Sequence, residues 1–429
     1  MEIIKSRIQK SSSLAGPCLL FVAFCFLKFD GFGQFSLVSG QPFVLVGGTI
    51  YTSPAEDPIH DGVILIRDGR IVSVGNRGSV NLPADVESLD CLGMTITAGF
   101  WNSHVHFFER KWSEAAAIPA EELGRQLEDM LTQYGFTSVF DLGSQWENTK
   151  QIRNRIESGE VPGPRIRTTG EALVAKNALP PDLVFRMMGL INYPTPEILD
   201  AAEAVAASKG LLEAGADGIK IHLQQPPSPN SPFPVEAISA TVNVAQQLGK
   251  PVFAHPATGQ DVLAAANAGV DVIVHTTPTS GPWDESIITA MKDNGVALTP
   301  TLTLWKYFLR HDRISTQQQV VETAVGQLRV WVDANGTVLF GTDLGAVDYD
   351  PSEEYALMAE AGMDFRQILA SLTTAPAEKF GELHQLGRIA PGFSADITIL
   401  KNDPSEDISS LVAVEYTIRE GKIIYRRSE

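Results

Sequence analysis

"TAGFWNSHVHFFE", Thr97–Glu109, sets two histidines one residue apart directly after an apolar, strand-like run. In a strand, residues i and i+2 share a face, so His104 and His106 point the same way and Val105 points the other. A buried core pair satisfies this pattern taken alone. Half of a metal site satisfies it too, because each neutral imidazole can give one nitrogen to an ion at about 2.0–2.1 Å. The rest of the chain has to decide between them.

From this stretch onward, strand-like and helical runs alternate. The expected strands are "TITAGFWNSH" (95–104), "FTSVFDLG" (136–143), "PRIRTTG" (164–170), "DGIKIHL" (217–223), "PVFAHPA" (251–257), "DVIVHTT" (271–277), "GVALTPTLT" (295–303) and "TVLFGTD" (337–343). Helical runs such as 119–135, 195–216, 234–249, 259–269 and 284–295 lie between them, several ending in Gly as helix C-termini do. Eight strands alternating with helices predict an α/β fold, a (β/α)8 TIM barrel over residues 97–385. A doubly wound sheet is the alternative, but no GxGxxG follows the first strand. Before residue 97 and after residue 385 the pattern is hairpin-like, as in "GVILIRDGRIVSVG" (62–75) and "VEYTIREGKIIYR" (414–426). Neither piece can bury a sheet alone. A small β-sandwich domain built from both chain ends, 42–96 and 386–428, is therefore expected.

Of the 429 residues, 44% are apolar and 20% charged, an ordinary globular composition. The net charge of −18 disfavours nucleic acid and anionic lipid, which require clustered Lys and Arg. Near the N-terminus Lys5, Arg7 and Lys10 precede the apolar run Leu14–Leu27, too short for a bilayer span but suited to a signal-peptide core. Gly31 and Gly33 place cleavage near Gln34, so residues 1–33 read as a signal peptide. The mature chain is then periplasmic or secreted, with no stable membrane association. Pro17 before Cys18 and Phe24 before Cys25 disfavour a lipoprotein signal. Losing that segment's net +2 takes the charge to −20 and leaves Cys91 alone, with no internal disulfide.

Barrel enzymes carry their chemistry at the C-terminal ends of the strands. There the chain offers His104 and His106, Lys220, His255, His275 and Asp343. One HxH pair is a weak signal, but four histidines and a carboxylate at matching strand ends are a strong one. His60, His311 and His384 read as surface residues. His222 shares a face with Lys220, as a pocket residue or as buried core. Lys220 stands between Ile219 and Ile221 in an apolar strand. An ammonium there opposes a metal, since unit charges about 4 Å apart interact at about 4 kcal/mol even at a dielectric of 20, and zinc carries two. Burial favours the neutral amine, which reacts with carbon dioxide to give a carbamate, an anionic oxygen ligand able to bridge two ions.

These residues, with the phrases "ITAGFWNSHVHF", "GADGIKI", "PVFAHPAT" and "GTD" and the flanks "DGVILIRDGRIVSVG" and "GRIAPGFSADITILKNDP", resemble the amidohydrolase superfamily of metal-dependent hydrolases over nearly all of residues 42–428. The resemblance is to the imidazolonepropionase-related group, which includes Xaa-Pro and Xaa-Arg dipeptidases. It implies two zinc ions, other divalent metals being an alternative. His104, His106 and Asp343 would bind one, His255 and His275 the second, and carboxylated Lys220 would bridge them. A bridging hydroxide would then attack an amide, peptide or cyclic amide carbonyl, with Asp343 as the catalytic proton shuttle or as a ligand alone. The expected partner is a small molecule or dipeptide, with homo-oligomerisation left open. Lys176, Arg186 and Tyr193 lie in the loop after the third strand, where a cation can meet a substrate carboxylate or simply face solvent. The proline-rich loop "QQPPSPNSPFP" (224–234) is a candidate pocket wall, and Trp305 either lines the pocket or is core. The alternatives are a lactonase, esterase or phosphotriesterase-like hydrolase on the same centre, or a non-catalytic exported binding protein.

Overall fold

The computed structural model describes residues 42–83, 86–176, 195–223 and 233–428. The expected signal segment, Arg186, Tyr193 and most of the proline-rich loop lie outside these residues. From the N-terminal side come β1 (Phe43–Ile50), β2 (Ile59–Arg67), β3 (Arg70–Asn76), β4 (Glu87–Asp90) and β5 (Thr95–Ala98). The middle supplies β6 (Phe100–Val105), β7 (Phe136–Asp141), β8 (Arg165–Thr168), β9 (Val174–Ala175), β10 (Glu197–Ile198), β11 (Ile219–His222), β12 (Val252–His255), β13 (Val272–Val274) and β14 (Ala297–Thr299). The C-terminal side adds β15 (Ile397–Leu400), β16 (Val414–Arg419) and β17 (Lys422–Arg426).

Both chain ends meet in one eight-stranded mixed sheet, ordered β17-β16-β15-β5-β1-β2-β3, with β4 parallel to β1. The join is antiparallel, from Ile397 opposite Ala98 to Leu400 opposite Thr95. The β2–β3 and β16–β17 hairpins each turn through two left-handed residues, Asp68-Gly69 and Glu420-Gly421, the geometry that matches strand twist. The two turns abut: a Cβ on Gly69 would lie 2.9 Å from Glu420 O, so only glycine fits.

"TITAGFWNSH", expected as one strand, divides at Gly99. The chain there presses against Thr137, whose Oγ1 would stand 2.2 Å from a Cβ at that position. Gly99 N also donates to Asp396 O (2.8 Å), which turns the backbone out of the eight-stranded sheet and into β6.

From β6 onward the fold is α/β. Parallel β6-β7-β8 form one sheet and parallel β11-β12-β13-β14 another. Strands such as β7 are buried along their whole length, as parallel strands covered on both faces must be. Among the described residues the ladders do not close into a barrel. Single bridges, Leu173 with Ile221 and Leu298 with Val338, stand beside the ends of the two sheets. The expected eighth strand, "TVLFGTD", is not a strand. Leu339 N donates to Leu298 O on one side, and Ser103 N to Phe340 O on the other. Alternating between neighbours, the segment never builds a ladder with either. The helical run expected from Thr195 begins instead at Ala201, where the Asp200 carboxylate caps Ala202 N and Glu203 N, and Glu197–Ile198 pairs as β10. Arg165 on β8 reaches Asp396 before β15 (2.7 Å) and ties the α/β part to the eight-stranded sheet. No helix among the described residues is long and apolar enough to cross a membrane.

Candidate metal centre

β6 carries His104 as part of a fully buried run, and the segment after Val338 lies hydrogen-bonded beside it. Asp343 N donates to His104 O (2.9 Å) and His106 N to Leu344 O (2.7 Å). This pairing brings Asp343 Oδ1 to 2.8 Å from His106 Nε2 and 3.2 Å from His104 Nε2. The two Nε2 atoms are themselves 3.1 Å apart. Gly341 allows the approach, since a Cβ there would lie 2.9 Å from His104 Cβ.

The other expected histidines join the same cluster. Ring centroids are 4.7 Å apart for His104 and His275, 4.5 Å for His275 and His255, and 4.7 Å for His255 and His222. His255 ends β12, and His275 follows β13 with its N–H donating to Thr299 O (2.8 Å). His222 stands in register with His255, its ring stacked on it at 17°, which places it beside the cluster. Lys220 on β11 is 1% exposed.

The electrostatics suit a cation. Burial, reinforced by Lys220 and the neighbouring rings, pushes the pKa of His104 well below the usual imidazole range. Burial does the same for His255 and His275, so each ring keeps one nitrogen lone pair free to bind. Burial pulls Lys220 down to about 7, against the opposing pull of Asp343 and Asp141, which brings the neutral amine within reach at ordinary pH. Burial alone would raise the Asp343 carboxyl, but the adjacent His106 ring, with His275 and Lys220, outweighs it and holds Asp343 below the usual carboxylate range. Asp343 Oδ1 has no hydrogen-bond partner among the described residues, nor have His104 Nδ1 and His106 Nδ1. A carboxylate oxygen and two imidazole nitrogens converging at 2.8–3.2 Å, with the oxygen unpartnered, fit a divalent ion. Among the described residues these three form the one group of at least three His, Cys, Asp or Glu ligand atoms. A second ion would depend on His255, His275 and Lys220.

Three non-glycine residues at the site have left-handed backbone: His275 (φ 76°), Thr301 (φ 46°) and Asp343 (φ 65°). Such strain gathers where a structure over-determines a functional geometry. Sequence reasoning passed over Asp141, which ends β7 near His106. Its buried carboxylate accepts from Ser144 Oγ (2.5 Å), Thr168 Oγ1 (2.7 Å) and Thr149 Oγ1 (3.1 Å). Burial still raises its pKa, against His106 and these three bonds. Its signal was a carboxylate closing the apolar run "FTSVFD" at the ligand-bearing end. Ser144 also accepts from Phe107 N (2.7 Å), so Asp141 steadies the chain just after the two histidines. His60 lies on β2 rather than in a loop, and is exposed like His311 and His384. Lys176 is exposed, and half-buried Trp305 donates from Nε1 to Thr276 Oγ1 (2.9 Å).

Known proteins resemble this chain along most of its length. The ochratoxinase of Aspergillus niger is 24% identical over 396 residues, covering 82% of this chain and 80% of that protein. A Xaa-Pro dipeptidase solved with methionine bound in its active site has the same fold, with a TM-score of 0.77 at 24% identity over 90% of this chain and 100% of its own. A prolidase solved with N-methylphosphonate-L-proline gives 0.73 at 27% identity, again over 90% and 100%. The model of the Amidohydrolase family matches residues 95–424. The chain thus belongs to the Amidohydrolase family and is a hydrolase acting on carbon–nitrogen bonds.

Proposed function

We propose that the chain is an exported, metal-dependent amidohydrolase that cleaves the amide bond of a dipeptide or a similar small molecule. His104, His106 and Asp343 would hold one divalent ion, zinc in this reading. His255 and His275 would hold a second, with Lys220, as its carbamate, a shared anionic ligand. The α/β part completes a (β/α)8 barrel beside a β-sandwich made from the two chain ends. The observation that carries the reading is the convergence of His104 Nε2, His106 Nε2 and Asp343 Oδ1. The prolidase and ochratoxinase relatives support an amide substrate.

Bound ions would polarise the substrate carbonyl and acidify a water molecule. The chain's own residues divide the remaining work. Asp343, held ionised, accepts the proton of the attacking water and passes it to the amide nitrogen as the carbon–nitrogen bond breaks. Buried His104 and His106 hold their ligand nitrogens in place, and β6 with the 338–344 segment keeps Asp343 against both.

The test is to purify the chain with zinc and bicarbonate, count bound metal, and assay prolyl and arginyl dipeptides, N-acyl amino acids and aryl esters. Bound zinc with turnover of amides supports the proposal. Less than one ion per chain, or turnover of esters alone, overturns it.

A further inference from the structure

His275 differs from His104 and His106 in having a partner on its Nδ1. Its Nδ1 lies 2.6 Å from Thr301 Oγ1, whereas Nδ1 of His104 and of His106 have no partner among the described residues. A threonine hydroxyl has one proton to give. Thr301 Oγ1 also lies 2.9 Å from Pro300 O, which can only accept. With its proton committed to that carbonyl, the hydroxyl must accept from His275 Nδ1–H. A ligand imidazole is neutral and carries one ring proton. Placing that proton on Nδ1 leaves the lone pair on Nε2.

Thr301 reaches this position with φ 46°, a conformation that β-branched residues rarely adopt. Its neighbours on the chain show what holds it there. Glu354, fully buried in helix Ser352–Glu360, accepts from Leu302 N (2.8 Å), Thr303 N (2.8 Å) and Thr303 Oγ1 (2.6 Å). One carboxylate thereby fixes the two residues after Thr301. The Trp305 indole then ties the same turn to Thr276, the residue after His275. His275 and its partner are held from both sides.

We propose that Thr301 and Glu354 are positioning residues for the metal centre: Thr301 fixes His275 as the Nδ1-protonated tautomer, directing Nε2 to the ion, and Glu354 fixes Thr301. The inference rests on reading His275 as a ligand. It is tested on the full-length chain, ring-15N-labelled at histidine and free of metal, with His275 assigned by its loss in His275→Gln. The wild type and Thr301→Ser should show Nδ1–H and a bare Nε2. Thr301→Val should show a mixed or inverted tautomer, with zinc affinity about 10–100-fold weaker at an unchanged circular dichroism spectrum. Glu354→Gln should shift the ring signals in the same direction as Thr301→Val. A wild-type ring protonated on Nε2 overturns the proposal, as does a Thr301→Val protein with unaltered ring signals and zinc affinity. Undiminished zinc binding in His275→Gln would instead refute the ligand reading, and the ring signals would still report on the tautomer. Should Thr301→Val fail to fold, the wild-type tautomer and Thr301→Ser decide the matter.

Discussion

Asp343 Oδ1 lies 2.8 Å from His106 Nε2, though 236 residues of sequence lie between the two. Two acceptors at that distance need a proton or a cation between them. If the partner is a cation, Asp343→Asn weakens the ion and removes the proton acceptor together. The expected result is loss of at least one bound ion and a fall in amide hydrolysis of about 10²–10⁴-fold, the size of a general acid–base contribution. Metal analysis beside steady-state assays checks it, and unchanged metal content would remove Asp343 from the ligand set.

Lys220 gives a separable prediction. The residue is 1% exposed, and burial brings its amine to about 7. With ¹³C-bicarbonate and zinc, the wild type should show a carbamate resonance that Lys220→Met lacks. The variant should retain less zinc. A variant holding as much zinc as the wild type would exclude Lys220 as a bridge and leave the His104–His106–Asp343 position standing.

Glu354 predicts a pH effect on stability. Burial raises its carboxyl from 4.5 to about 7, and the bonds from Thr303 and Leu302 offset this only in part. Between those values the folded chain keeps a proton that the unfolded chain has released. This group's contribution is therefore complete below about pH 4.5, falls as pH rises toward 7 by on the order of 3 kcal/mol, and is level above that. Glu354→Gln removes the titration. Denaturant melts across pH 4.5–7.5 should show wild-type stability declining relative to the variant, and a relative rise would contradict the assignment.

Some of this was legible in the sequence for definite physical reasons. His104 and His106 were readable because i and i+2 share a strand face, and Lys220 because a charge between two isoleucines needs a cause. The hairpins were readable from Asp68-Gly69 and Glu420-Gly421, whose backbone demands are local. The break at Gly99 was not, because it depends on Thr137, which the chain meets only after folding. The eighth segment has a strand's composition but shares its hydrogen bonds between two neighbours, which no local pattern reports. Thr301 and Glu354 stayed hidden for the same reason: neither residue type signals a role until helix Ser352–Glu360 packs over the 301–303 turn.

Arg165 and Asp396 join the two parts of the fold through a nearly buried pair, 13% and 5% exposed. Burial opposes the Arg165 charge, but Asp396, with Glu420 and Glu157, more than restores it. Asp396 also accepts from Ser394 Oγ (2.6 Å) and Glu420 N (2.9 Å). Asp396→Ala leaves a buried guanidinium with the Ser138 hydroxyl and the partly exposed Glu420, and should cost about 3–5 kcal/mol. The double variant Arg165→Met with Asp396→Leu should recover part of that loss in urea unfolding. A single-variant cost below about 1 kcal/mol would mean the pair is solvated.

Gly341 is the position where fold and chemistry can be separated. An alanine Cβ there would stand 2.4 Å from Thr299 Cγ2, 2.9 Å from His104 Cβ and 3.1 Å from His104 N. Thr299 can yield by a small movement of β14, but His104 has less freedom. Its amide donates to Asn102 Oδ1 (3.2 Å) and its carbonyl accepts from Asp343 N (2.9 Å), while Ser103 N is bound to Phe340 O (2.7 Å). Gly341→Ala therefore pushes His104 away from His106 and Asp343. The overpacking should cost about 1–3 kcal/mol, while zinc binding weakens by at least about tenfold because one ligand leaves its place. Adding Thr299→Ser removes the Cγ2 clash and should restore stability without restoring zinc affinity, since the contact with His104 remains. Recovery of both together would locate the damage at Thr299 and free His104 of the effect; recovery of stability alone ties the missing side chain of Gly341 to the metal centre.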